Sequence, residues 1–151
     1  MLLSSTILQC LLSITTVKNK ADMKIHHIGY LVKKMEKALP RFEELGYSVE
    51  RESVYDEYRK ADIAFLAMDG YRIELVCPHK ESDVYPLLKK LGNTPYHICY
   101  ETEDPEGDIA RLKNSGYTAF TDIQPAPAIG GEAKVIFLIH SRMGIMELLM
   151  A

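Results

Sequence analysis

The sequence predicts an α+β fold in which two βαβββ repeats form a curled mixed sheet around a metal-binding cleft. Three observations carry this. Two strand-like segments, His27-Ile28-Gly29-Tyr30 and His97-Ile98-Cys99-Tyr100, share a His-Ile-x-Tyr pattern. Each is followed by a helical pattern that ends in Gly-Tyr, at Gly46-Tyr47 and Gly116-Tyr117. Each unit then closes on an apolar strand interrupted by one glutamate, Ile73-Glu74-Leu75 and Met146-Glu147-Leu148.

The elements follow in order. Residues 25–32 open the first repeat as a strand rich in β-formers. Met35, Leu39, Phe42 and Leu45 then recur at helical spacing, with Pro40 inside the stretch as a kink or late start. Strands are expected over Ser48 to Val54, Ile63 to Met68 and Arg72 to Cys77, with Asp69-Gly70 as a tight hairpin. A linker helix over about 82–91 places Val84, Leu87, Leu88 and Leu91 on one face, its start delayed by Pro86. The second repeat carries Ile109 and Leu112 on its helix. Its later strands are expected over Thr118 to Ile123, Ala133 to Ile139 and Ile145 to Met150, with a loop from Pro125 to Gly131 and a hairpin at Met143-Gly144. The repeats thus span about 24–78 and 95–151 within one domain, 23–151. Residues 1–22 read as a disordered extension or misassigned start, because Met23 opens the clean strand pattern.

Composition narrows the function class. The 151 residues are 47% hydrophobic and 26% charged, as in an ordinary soluble domain. A net charge of -3 gives no reason to expect nucleic acid or an anionic membrane as partner. Lys33, Lys34 and Lys37 form the densest basic cluster and read as a solvated helix face. The apolar run from Ile7 to Val17 is too short and too polar to span a bilayer. Three cysteines without a CxxC pair suit a reducing cytoplasm, with Cys77 and Cys99 as small core residues.

Four residues carry the chemistry. His27 and His97 lie 70 apart and Glu74 and Glu147 lie 73 apart, at matching positions of the two repeats. A carboxylate inside an apolar strand is costly unless paired, protonated or metal-bound. Two imidazoles and two carboxylates suit one divalent ion such as Zn, Ni or Co, and leave positions free for substrate oxygens. No organic cofactor is expected. A metal so held polarises a carbonyl and stabilises an enolate, and one ligand carboxylate, loosened from the metal, moves the proton. Arg51 and His140 are weaker candidates for substrate contact. Strand alternation turns His26 away from the cleft, as a structural or exposed residue.

The stretches from His27 to Tyr30, Phe42 to Tyr47, Ile73 to Leu75, Tyr96 to Glu101, Gly130-Gly131 and Met146 to Leu148 together resemble the glyoxalase/bleomycin-resistance/dioxygenase superfamily, also called vicinal oxygen chelate, over residues 24 to 150. The resemblance implies a glyoxalase-like fold, His27, Glu74, His97 and Glu147 as metal ligands, and a homodimer acting on an acyl-CoA thioester or a glutathione adduct. Within the superfamily, the linker helix and the loop from Pro125 to Gly131 resemble methylmalonyl-CoA epimerase. The epimerase's second proposed base falls near Ile63, which transfers no proton, while the neighbouring Asp62 points the other way, so the resemblance leaves Glu147 as the catalytic base. The final hairpin and Arg51 resemble glyoxalase I (lactoylglutathione lyase), where an arginine meets a glutathione carboxylate. A metal-free binding or resistance protein is the non-enzymatic alternative, disfavoured by the intact set of four. A ring-cleaving dioxygenase, with two histidines and one glutamate, fits poorly because of Glu74.

Overall fold

A computed structural model describes residues 22–150, so the expectation for residues 1–22 falls almost wholly outside the described part. Among the described residues, nine strands and three helices follow the expected order, with one short strand more than expected in the second repeat. The first repeat comprises β1 (Lys24–Leu31), α1 (Met35–Glu44), β2 (Ser48–Asp56), β3 (Ala61–Met68) and β4 (Tyr71–Pro78). The linker helix is α2 (Tyr85–Leu91). The second repeat comprises β5 (Thr94–Glu101), α3 (Pro105–Asn114), β6 (Thr118–Ala119), β7 (Gln124–Pro125), β8 (Lys134–His140) and β9 (Gly144–Met150).

One sheet runs β2-β3-β4-β1-β5-β9-β8-β6, with β7 paired to β8. The two repeats meet where β1 pairs antiparallel with β5, centred on Ile28 opposite Ile98. On either side the relation repeats: β1 is parallel to β4, and β5 is parallel to β9. Each repeat therefore donates its first and last strands to the middle of the molecule, which is where the histidines and glutamates lie.

Alternation along the strands sorts side chains onto two faces. On one face, Ala64, Leu66, Ile73 and Leu75 pack with Met35 and Ala38 of α1, and Ile136, Leu138, Met146 and Leu148 pack with Leu112 of α3. The opposite parity, Ile63, Phe65 and Val76 with Val135, Phe137 and Leu149, lines the concave side with Leu88 of α2 and the Ala126–Ala133 loop. Pro86 sits in the first turn of α2 and delays its start to Tyr85, while Pro40 is accommodated inside α1. Asp69 and Gly70 take φ of 51° and 79°, the two positive values that a two-residue type I′ hairpin requires. The three lysines on and before α1 are exposed.

The second repeat departs from expectation between residues 118 and 131. The strand expected over Thr118 to Ile123 stops at Ala119, and Gln124–Pro125, expected at the start of a loop, form a second short strand. The cause is local. The Thr121 hydroxyl accepts the Phe137 N–H at 3.0 Å, so a side chain takes the ladder's place and the backbone leaves the sheet. Cys99 is fully buried as expected, whereas Cys77 is only half-buried on the helix side.

Candidate metal centre

All four residues singled out by the repeats are buried on the concave face: His27 is 1% exposed, Glu74 5%, His97 3% and Glu147 1%. Strand pairing brings them together. Glu74 stands beside Gly29 on the parallel β1–β4 ladder and Glu147 beside Cys99 on the β5–β9 ladder. Across the central pair, Gly29 faces His97 and Cys99 faces His27. Small residues thus sit opposite both imidazoles, related by the same offset of 70 that relates the histidines. At Gly29 the requirement is strict, because a Cβ there would overlap the His97 ring.

The polar atoms converge. His27 Nε2 lies 3.3 Å from Glu74 Oε2 and 3.1 Å from Glu147 Oε2. His97 Nε2 lies 3.5 Å and 3.2 Å from the same two oxygens, and the two Nε2 atoms are 3.2 Å apart. One ligand atom from each residue lies within 4.8 Å of all the others. Four ligands about 2.0–2.2 Å from a common centre are separated by about 2.9–3.5 Å, so the spacing fits a first-row divalent ion. Glu147 Oε2 is buried yet makes no hydrogen bond of acceptable geometry, despite two imidazole nitrogens nearby. Lone pairs that face a shared point, and not one another, leave that signature. The donor set and its spacing therefore fit a metal held by His27, Glu74, His97 and Glu147.

Burial opposes charge on His27, but Glu74 and Glu147 outweigh it and push the imidazole up to about 9. Burial would raise Glu147, yet the two imidazoles beside it, His27 and His97, hold its carboxyl well below the usual range. Burial, then the charges of Glu74 and Glu147, push the Tyr96 hydroxyl well up, and the same surroundings keep the Cys99 thiol protonated.

His26 corrects the alternation argument. The β1–β5 register shifts between Ile25 and His27, so His26 is the extra residue of a β-bulge. Its ring therefore lies beside His27, with the Nδ1 atoms 2.8 Å apart and ring centroids 5.1 Å apart. The register shifts again where Tyr96 precedes His97, and Tyr96 packs edge-on to that ligand at 4.4 Å. Each of the two histidines is thus braced by the bulged residue before it. Arg72 donates to His26 Nε2 at 2.9 Å and forms a two-pronged pair with Glu50, at 2.5 and 2.6 Å. Glu50, Arg72 and His26 make a continuous polar support behind His27. No single-strand pattern marks this chain of contacts. The available signal was the doublet itself, with His26 and Tyr96 at equivalent repeat positions.

The two weaker candidates lie apart from the four ligands. Arg51 is exposed at the rim, against Gly130 and near His26 and Arg72. His140 has the parity of Ile136 and Leu138 and so lies on the helix side, stacked on Tyr117 at 4.8 Å. Ile63 faces the concave side, 1% exposed, while Asp62 points away and meets His79 at 2.9 Å.

Comparison with known proteins agrees with this architecture. Residues 26–137 match the family model of the Glyoxalase/Bleomycin resistance protein/Dioxygenase superfamily, and the chain belongs to that superfamily. Its fold is that of a hypothetical protein from Bacillus halodurans C-125 (24% identity, 86% of this chain and 95% of that one, TM-score 0.75). It is likewise that of a Streptomyces coelicolor methylmalonyl-CoA epimerase variant in complex with 2-nitronate-propionyl-CoA (21% identity, 85% and 94% covered, TM-score 0.72). The methylmalonyl-CoA epimerase from Mycobacterium tuberculosis is similar too (19% identity, 83% and 86% covered, TM-score 0.71). No curated protein sequence matches the chain. Among the described residues no helix is long and apolar enough to cross a membrane.

Three outcomes are expected. Gly29→Ala displaces His97 and lowers Zn affinity by about tenfold or more, read by chelator competition; unchanged affinity would contradict the close packing of Gly29 on that ring. Arg72→Met weakens the support of His27 and lowers Zn affinity by about 10–100-fold, whereas a purely surface role for the Glu50–Arg72 pair leaves it unmoved. The metal-free protein is most stable between about pH 5 and 6.5. Above this range the contribution of His27, whose folded value is raised, is lost as pH climbs from 6.5 to about 9. Below it the contribution of Glu147, whose folded value is lowered, is lost as pH falls through 4.5 and beyond. Melting curves across this range, with and without Zn, check both arms, since a bound ion replaces the proton and flattens the alkaline one.

Proposed function

We propose that this chain is a divalent-metal-dependent enzyme that removes and returns a proton beside a carbonyl, of the methylmalonyl-CoA epimerase type within its superfamily, with His27, Glu74, His97 and Glu147 as the metal ligands. The observation that carries the reading is the convergence of four buried ligand atoms within 4.8 Å at one point of the concave face. Burying two carboxylates and two imidazoles among Phe65, Phe137 and Tyr96 has no packing rationale without a charge to share. The bound ion would supply a Lewis acid that polarises a chelated carbonyl and stabilises the enolate.

Glu147 is the proton acceptor. Its carboxyl, held well below the usual range, favours the ionised form, and it takes the proton once loosened from the ion. Phe65 and Phe137, packed edge-on to the two imidazoles, keep water from the reacting carbon. His26 and Tyr96 hold the ligand rings in place from behind. Ile63 occupies the position where two-base inversion needs a second base, so proton removal and return use one carboxylate on one face. Exchange of the proton with solvent is therefore expected to outpace inversion. Isomerisation of a glutathione hemithioacetal, as in glyoxalase I, is the second reading, favoured by Arg51 at the cleft rim. The substrate class in these two readings is an acyl-CoA thioester or a glutathione adduct, and assembly as a homodimer is part of the proposal.

The test is deuterium wash-in, followed by proton NMR, for methylmalonyl-CoA and the methylglyoxal–glutathione hemithioacetal on Zn- and Co-loaded protein. Exchange in one of them, reduced about 100-fold or more by Glu147→Gln with the metal still bound, is the expected result. Bound metal with no exchange in either would reduce the site to a metal-dependent binder.

A further inference from the structure

A second polar device lies one aromatic ring away from the four ligands. Between the repeats, a small cavity is bounded by Val76 and Val84, by Tyr96 and Phe137, and by Arg59 with Tyr58. Tyr96 and Phe137 are the rings that flank His97, at 4.4 and 5.3 Å, so the cavity shares a wall with the metal centre. Its volume of about 40 Å³ holds a group of a few atoms.

Arg59 is clamped. Its Nη1 donates to Asp56 Oδ2 at 2.8 Å and to the Pro125 carbonyl at 2.7 Å, one contact within the first repeat and one in the second. Asp56 is 1% exposed and its carboxylate also accepts the N–H groups of Tyr58 and Arg59, both at 2.9 Å. The arginine side chain is only 12% exposed, and its Nη2 is buried with no hydrogen-bond partner among the described residues. A buried, unpaired guanidinium nitrogen is costly, and this one belongs to a group held by two bonded neighbours, Asp56 and Pro125. Neither the metal chemistry nor the packing of the turn accounts for it.

We propose that this cavity docks a carboxylate carried by the substrate, with Arg59 Nη2 as the principal donor. A guanidinium only donates, so the occupant presents an oxygen acceptor. Ser82 and Gln124 also line the cavity and add neutral donors, while Asp83, the carboxylate at the rim, is exposed and screened. Space and apolar walls favour a planar carboxylate over a phosphate. This deepens the reading of the metal centre, on which it rests: the substrate is an acyl compound chelated at one end and bearing a carboxylate farther along, beyond the carbon that exchanges its proton. Arg59 thereby becomes a specificity-determining residue distinct from Arg51.

The test titrates Co-loaded protein with succinate and glutarate against butyrate and valerate, and with glutaramate as the amide counterpart, following the Co(II) visible spectrum and ligand NMR. The dicarboxylates should bind about tenfold or more tightly than the monocarboxylates of equal length, with glutaramate in between. Arg59→Met should abolish that preference without moving monocarboxylate binding, and Arg59→Lys should restore part of it. Because Arg59→Met strands Asp56, the Asp56→Asn/Arg59→Met double variant is measured beside it. Equal binding of dicarboxylates and monocarboxylates by the wild type overturns the proposal whatever the variants do, and so does a preference that survives in the double variant. If the protein takes up no cobalt, the metal reading fails separately, and NMR titration of the metal-free protein still decides the carboxylate preference.

Discussion

The antiparallel pairing of β1 with β5 is the constraint from which the rest of the molecule follows. It joins two repeats that could not each bury a sheet face alone, and its register sets Gly29 against His97 and Cys99 against His27. With small residues at those two points, both imidazoles fit over the seam, and the flanking parallel strands bring Glu74 and Glu147 to meet them. A shift of one residue would put His97 and Glu147 on the opposite face from His27 and Glu74.

The same pairing carries two irregularities that matter more than its regular part. A bulge at His26 and another at Tyr96 place a second ring next to each ligand histidine. On one side the support continues through Arg72 to Glu50. On the other it becomes a wall shared with the Arg59 cavity. The two sides of a nearly symmetric centre are thereby made unequal: one is polar and braced, the other apolar and open to a ligand. Such asymmetry is what a duplicated binding unit needs to hold a substrate in one orientation.

The electrostatics follow from burial. Two carboxylates and two imidazoles in an apolar cleft are tolerable only while protons or a cation offset their charge, which is why His27 is pushed up to about 9 and Glu147 is held ionised. Exchange of proton for metal links occupancy to pH and ties the stability of the central strands to the chemistry of the cleft.

Much was readable in the sequence because duplication supplies its own internal comparison. The equal spacing of His27 with His97 and of Glu74 with Glu147, the Gly-Tyr helix endings and the Asp69-Gly70 turn determine the repeats, the element order and the four polar residues of the cleft. These are local signals: periodicity, turn conformation and the cost of a carboxylate in an apolar strand. What only the tertiary structure decided depends on partners distant in the chain. Alternation places His26 away from the cleft, and only pairing with β5 reveals the bulge that reverses it. The strand after α3 ends early because Thr121 meets Phe137 across the sheet. Arg59 is set apart only by Pro125, 66 residues away, which takes one of its nitrogens while the other stays buried. Register and hydrogen-bond satisfaction belong to pairs of segments, so no single stretch of residues can encode them by itself.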